Sequence, residues 1–357
     1  MTETTMALPA DNFTQTKTPP RARVRFDAGS YAELKRRVVA DGLLVKRPLF
    51  YFKTTLVTLG LFAAGIVVLA MVHQLWVTLT VAAFMAAVFA QVAFLGHDTG
   101  HRQIFRSRRY TKLMGYLVTL LLGVSISWWV DKHNRHHSFP NEVAVDPDLD
   151  LPMLAFSEEE AAAKTGAWRF MARYQSYFFL PILAFEGVGL RLASLQFIVR
   201  RSRRYPIMEP VLVLVHSVAY VGLLVSVLSI RDAILFAVAH HLLTGLYLGS
   251  IFAPNHKGMP LTSKGQAIDF LHRQILTSRN IRSHPLTDFL YGGQNYQIEH
   301  HLFPSMPRCN LHRSQVIVKA FCREQSIPYG EASIAGSYRE ILGHLHRVSA
   351  PLRARPS

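Results

Sequence analysis

Four stretches of this chain contain no Lys, Arg, Asp or Glu: Thr54 to Val72, Leu75 to Leu95, Pro210 to Ile230 and Ala233 to Ala253. Each is about 20 residues, enough to cross the roughly 30 Å hydrocarbon core of a bilayer as an α-helix. A buried helix of a soluble protein keeps a polar face, and these stretches have none, so they read as membrane spans. Only His73 and Gln74 separate the first two, and only Arg231 and Asp232 separate the last two. Links this short force two helical hairpins, with both turns on one side of the membrane and the rest of the chain on the other.

Basic residues then orient the whole. Lys35, Arg36, Arg37, Lys46, Arg47 and Lys53, with Arg21 and Arg23 before them, precede the first span. Arg102, Arg106, Arg108, Arg109 and Lys112 follow the second, Arg200, Arg201, Arg203 and Arg204 precede the third, and Lys257 follows the fourth. The positive-inside rule makes that face cytoplasmic. The formal net charge of +16 therefore faces anionic lipid headgroups, and nucleic-acid binding is not expected. The first 20 residues are polar and lack the apolar core of a signal peptide, so they read as a disordered tail. Cys309 and Cys322 form no C-x-x-C pair and fall on the cytoplasmic side, so neither a disulfide nor a thiolate metal site is expected.

Two weaker apolar stretches remain. Met114 to Val130 is uncharged but short, and Phe178 to Leu190 contains Pro181 and Glu186. A full crossing at either place would carry later histidines to the face opposite His97, so both are expected to lie in or dip into the cytoplasmic leaflet. The predicted fold is an all-α integral membrane protein: four transmembrane helices in two hairpins under a cytoplasmic helical cap made from residues 97–205 and 254–348. Residues 1–48 read as a polar, partly disordered N-terminal region, 49–325 as the membrane domain with its cap, and 326–357 as a C-terminal tail.

Seventeen histidines are more than such a chain needs, and their spacing is more telling than their number. "GHDTGH" places His97 and His101 four apart on one helical face, and "DKHNRHH" places His133, His136 and His137 at i, i+3 and i+4. "QIEHH" repeats that geometry with Gln297, His300 and His301. Imidazoles one helical turn apart offer two nitrogens to one metal, and neutral imidazole suits iron, zinc and copper. Seven such histidines exceed what one tetrahedral zinc takes, so two ions sharing a histidine-rich site fit better. Metal-bound imidazoles donate their second N–H to a carboxylate or carbonyl, which makes Asp98, Asp131 and Glu299 candidates for support. A solvated helix face is the alternative for Asp131. Trp128 and Trp129, just before the second cluster, are candidates to line an apolar tunnel or to sit at the interface as aromatics do. His216, His240 and His241 lie inside spans and are candidates by that position alone. His73, His272, His284, His312, His344 and His346 have no ligand-like spacing.

H-x-x-x-H, H-x-x-H-H and Q-x-x-H-H in this order, the last inside "QNYQIEHHLFP", resemble the three histidine boxes of the membrane fatty acid desaturase family, over roughly residues 50–325. The resemblance implies two iron ions and O2 as co-substrate, two hydrogens being removed from neighbouring acyl carbons with water as the other product. Gln297 in place of the first histidine of the third box is similar to the front-end desaturases, which act between an existing double bond and the carboxyl end; its carbonyl oxygen is then a candidate ligand. The family also implies a ligand near the end of the last span, where His256 stands with Asn255 beside it. Many front-end members carry a fused haem-binding domain with a His-Pro-Gly-Gly signature, which this chain lacks. A separate ferredoxin- or haem-type donor with an NAD(P)H reductase is therefore expected, and a bacterial inner membrane as the location. The substrate is expected to be a fatty acyl chain carried as acyl-CoA or acyl-lipid.

The same boxes serve hydroxylases and alkane monooxygenases, which put oxygen into the product. The glutamine box and "DPDLDLPMLAF" after the second box favour desaturation. A membrane metal carrier would spread its ligands along a path through the spans, whereas these converge on one face.

Overall fold

The structure, a computed structural model, describes residues 28–72, 74–201 and 207–353. The turn at His73, the N-terminal tail with Arg21 and Arg23, and the basic pair Arg203 and Arg204 lie outside the described residues.

The chain is helical almost throughout. Ala28–Ala40 (α1) precedes the first hairpin, Pro48–Met71 (α2) and Leu75–Gly100 (α3), and a bent pair follows, Arg108–Leu122 (α4) and Ile126–Ser138 (α5). Short helices Glu158–Ala163 (α6) and Gly166–Arg173 (α7) lead to a second bent pair, Gln175–Leu183 (α8) and Glu186–Arg201 (α9). The second hairpin is Met208–Val227 (α10) and Ile230–His256 (α11). The cap closes with Phe270–Leu276 (α12), Pro285–Leu290 (α13), Gln297–Leu302 (α14), Leu311–Glu324 (α15), Ile334–Val348 (α16) and Ala350–Arg353 (α17). Two short parallel strands, Asn280–Ile281 (β1) and Glu331–Ala332 (β2), tie it together.

α2, α3, α10 and α11 are long and apolar enough to span a membrane, as the sequence predicts. α3 and α11 form the inner pair, while α2 and α10 turn Leu56, Val57, Leu214 and Val218 outward at 60% exposure or near it. Such a surface is stable only against lipid. Ser229 starts α11 by accepting the Asp232 N–H, which fixes the tight second turn.

The bent pairs explain how the histidines reach one side. α4 and α5 meet at 105° and α8 and α9 at 72°. α5 carries the second box back against the residues that end α3, where the His133 ring lies 5.1 Å from His97 and 4.9 Å from His101. The break exposes helix ends that need partners in an apolar setting. At the end of α4, Leu120 O accepts from His216 Nδ1 at 2.9 Å and Leu122 O from Arg191 Nη2 at 3.1 Å. Gly123 follows with φ +67°, and a Cβ there would meet the His216 ring at 2.3 Å. At the start of α5, buried Glu209 accepts from the Ser125 and Ser127 hydroxyls and the Ser127 N–H.

Both ends of the described chain pack into the cap. Leu34, Val38 and Leu43 share a buried core with Val318 and Phe321 of α15 and with Ile298 and Leu302 of α14. Ile341 and Leu345 of α16 pack with Phe179 and Leu183 of α8. Both segments carry apolar residues one helical turn apart, and those faces are the ones that are buried. Cys309 is exposed and Cys322 buried, and neither is in a disulfide.

Candidate metal centre

Each cluster is delivered by a helix end. α3 runs beyond the predicted Leu95, so His97 sits in its last turn and His101 caps it. α11 likewise runs past Ala253 and ends on His256. α14 is only six residues long and is held from outside: the Ile298 N–H donates to Asn280 Oδ1 at 2.9 Å, and buried Glu299 accepts from Asn280 Nδ2 at 2.7 Å and from the Tyr329 hydroxyl at 2.8 Å.

These ends bring eight sequence-predicted histidines together in two adjoining groups. His97, His101, His133 and His300 form one, and His136, His256 and His301 the other, each with ligand atoms within 4.8 Å of one another. His137 joins the first group, its Nε2 lying 3.0 Å from both His133 Nε2 and His300 Nε2. The His137 and His301 rings stack at 4.1 Å across the two groups. Other facing Nε2 pairs are His97–His300 at 3.1 Å, His256–His301 at 3.1 Å and His136–His256 at 3.3 Å. Nitrogens about 2.1 Å from a shared ion and at right angles would lie about 3 Å apart, which is the spacing seen. His101 Nε2 is buried with no hydrogen-bond partner, as a metal ligand would be.

The outer nitrogens of four rings are anchored, which points the inner ones inward. His136 Nδ1 lies 3.0 Å from Asp146 Oδ1, His256 Nδ1 3.0 Å from Thr277 O, and His301 Nδ1 2.8 Å from Gln274 Oε1. His97 Nδ1 faces Asp98 Oδ1 at 3.3 Å and the Gln294 amide at 3.0 Å, while Arg308 holds the other Asp98 oxygen at 3.2 Å. Burial pushes His101, His300 and His301 well below the ordinary imidazole value, and neighbouring imidazoles add to it, so their nitrogens stay neutral and free to bind a cation. Burial pushes the Glu299 carboxyl up to about 7 against its two hydrogen-bond donors.

Some predicted supports act differently. Asp131 points to Arg135 at 3.7 Å on the outer side of α5 and makes no contact with a box histidine, because its position falls on the solvated stripe of that helix. Glu299 braces α14 from behind through Asn280 and Tyr329 and touches no imidazole. Gln297 stands at the second group, but its Oε1 accepts from Asn255 Nδ2 at 3.1 Å and its Nε2 faces His256 Nε2 at 2.9 Å. Asp146, Thr277, Gln274 and Gln294 are absent from the sequence reading. Asp146 alone left a signal there, as the first of three alternating aspartates in "VAVDPDLD", ten residues after His136. His216 and His240 are bound to Leu120 O and to Tyr220 within the spans, away from both groups.

A cavity of 720 Å³ opens beside the two groups, within the ~300–1,000 Å³ usual for small-molecule sites. His97, His133, His136, His256 and Gln297 form part of its wall, and Trp128 and Trp129 line it next to them. The Trp129 ring stacks on His133 at 4.3 Å. Beyond that polar patch the wall is largely Leu, Phe, Val and Ile.

Residues 74–333 match the profile of the fatty acid desaturase family. The chain is 31% identical over 332 residues to an acyl-lipid (9-3)-desaturase of Physcomitrium patens, covering 89% of this chain and 62% of that protein. It therefore spans less than two thirds of that relative's length. It is 32% identical over 313 residues to a Delta(5) fatty acid desaturase of Caenorhabditis elegans, covering 84% and 69%, and 30% identical over 328 residues to a Delta(8)-fatty-acid desaturase of Euglena gracilis, covering 87% and 76%. Three boxes converging on one buried site, in a chain matched over most of its length, lead to one assignment: the protein belongs to the fatty acid desaturase family.

Proposed function

We propose that the chain is an O2-dependent acyl desaturase of the front-end type, with one iron ion held by His97, His101, His133, His137 and His300 and a second by His136, His256 and His301. The observation that carries this reading is the adjacency of two imidazole groups to a 720 Å³ cavity with a mostly apolar wall. The bound irons supply O2 activation, the oxidising power that no side chain has for an unactivated methylene. The chain's own residues do the placing. Trp128 and Trp129 hold an acyl segment against the wall formed by His97 and His133, and a displacement of about 1 Å there is costly to reactivity. Asp146, Thr277 and Gln274 keep the inner nitrogens of their imidazoles available, and the neutral amides of Gln297 and Asn255 close the second site.

Support for the front-end type comes from Gln297 and from relatives named as Delta(5) and Delta(8) desaturases. The two electrons come from a separate ferredoxin- or haem-type donor served by an NAD(P)H reductase. Exposed Arg102, Arg106, Arg108 and Arg109, next to His101 in sequence, offer such an acidic partner a docking face. By the positive-inside rule the same basic residues support a cytoplasmic histidine side and a bacterial inner membrane as the location.

The test is lipid analysis of cells expressing the chain with an electron donor and fed defined saturated and monounsaturated fatty acids, beside a His300→Ala control. A new double bond on the carboxyl side of an existing one, absent in the control, is the expected result. A hydroxylated product without a new double bond would move the protein to the hydroxylase branch.

A further inference from the structure

The cavity reaches the outside of the molecule at α7, at the α8–α9 break and on α9. Trp168 at 48% exposure, Phe185 at 60% and Gly189 all line it and are also open to the outside. Around this opening the outer faces of α7, α8 and α9 are apolar, with Phe170, Tyr177, Leu192 and Val199 exposed at 56%, 71%, 56% and 77%. α7 adds exposed Arg169 and Arg173 beside Trp168 and Phe170, the pattern of a helix lying in the headgroup layer with its aromatic residues in the acyl region.

Among the described residues, the cationic side chains that line the cavity have partners within the protein. Four cations and three carboxylates line it, and each cation is engaged at home. Lys132 pairs with Asp148 and Arg135 with Asp131. Lys257 donates to Asp148 O and lies over the Phe156 ring, and Arg191 donates to Leu122 O. Exposed Asp150 adds negative charge to the wall. A coenzyme A thioester would bring several phosphate charges to this place, and recognition of those requires donors not already committed.

We infer that the acyl chain enters sideways from the bilayer, between α7, α8 and α9, while still esterified to a membrane glycerolipid. This rests on the desaturase reading and names the carrier within it. The lipid headgroup stays at the level of Arg169 and Arg173, and only the acyl chain passes Phe185 and Gly189 to reach the imidazoles.

Cells expressing the chain with its electron donor are given a short pulse of deuterated fatty acid and quenched over a time course. Glycerolipid, coenzyme A thioester, carrier-protein thioester and free acid pools are then separated and their double bonds mapped. Labelled double bonds are expected first in glycerolipid. Their earlier appearance in a thioester or in free acid overturns the carrier while leaving desaturation intact. No labelled double bond in any pool, with the protein present and loaded with iron, overturns the desaturase reading itself. A second arm uses Gly189→Trp. A Cβ at Gly189 meets nothing within 4 Å, so the backbone there has room for a side chain, and the indole is introduced to obstruct the opening. Conversion is expected to fall at least about tenfold at unchanged iron content and abundance; conversion at the unsubstituted rate overturns lateral entry.

Discussion

Asp146 grips His136 with both carboxylate oxygens, at 3.0 and 3.1 Å from Nδ1. The same carboxylate accepts the N–H groups of Asn141 at 2.8 Å and Asp148 at 2.9 Å, so the loop after α5 is folded around it. His136 is thereby fixed with Nε2 toward His256 and His301. A carboxylate in this position both orients an imidazole and makes it a better donor.

Asp146→Asn keeps the shape and removes the charge. Metal affinity at the second group is expected to fall about 10- to 100-fold, read as iron retained per protein in competition with a graded chelator. Unchanged retention would show that His136 is held by packing alone.

Glu209 performs the equivalent task for the whole of α5. Its replacement by Ala leaves the Ser125 and Ser127 donors buried without an acceptor, a cost of about 1–3 kcal/mol for each unmet group. Thermal unfolding in detergent should therefore begin several degrees lower, with Glu209→Gln intermediate because the amide oxygen still accepts. Equal midpoints for all three proteins would contradict the clamp.

Acid should loosen the metal-free protein. Burial, and then neighbouring imidazoles, hold His300 and His301 below the ordinary value of 6.5. On acidification the unfolded chain takes up protons at these positions before the folded chain does. Their contribution to stability is thus fully present above about 6.5 and is lost progressively as pH falls below it. Protons also compete with iron for the same nitrogens, so metal release should follow the same direction. Thermal midpoints of the metal-free protein that are equal at pH 7.5 and pH 5.5 would refute this.

The spans and boxes were legible because each rests on a local pattern. An uncharged run of 20 residues has one stable solution, and imidazoles at i, i+3 and i+4 share a helical face whatever surrounds them. The end of α11 was not legible, because that helix continues past its apolar run into the cap, where polar residues such as Asn255 no longer mark a boundary. Thr277, Gln274 and Gln294 act through single hydrogen bonds from loops or short helices 21 to 197 residues away from their histidines. No periodicity announces such contacts. The helix at Ile334–Val348 falls within the cap, and its buried apolar residues Ile341 and Leu345 lie one turn apart.

The close approach of the second bent pair to α11 depends on glycine. A Cβ at Gly245 would lie 2.1 Å from Ala184 O and 2.9 Å from Gly187 N, both backbone atoms that cannot rotate away. One turn on, a Cβ at Gly249 would meet the Leu183 side chain at 3.0 Å. This is the small-residue contact that lets helices pack in lipid, here used to seat the α8–α9 break against the inner span. Gly187, Thr244, Leu248 and Gly249 also line the cavity, so prising the break away would alter its shape next to the imidazoles. Gly245→Ala is therefore expected to cost about 1–3 kcal/mol and to reduce conversion of lipid substrate more than its loss of folded protein explains. Gly189→Ala, whose methyl meets nothing, is the control and should be neutral or slightly stabilising, since it reduces the freedom of the unfolded chain. If Gly245→Ala unfolds at the same temperature as Gly189→Ala and converts substrate equally well, the α8–α9 break is not seated on α11 through this glycine.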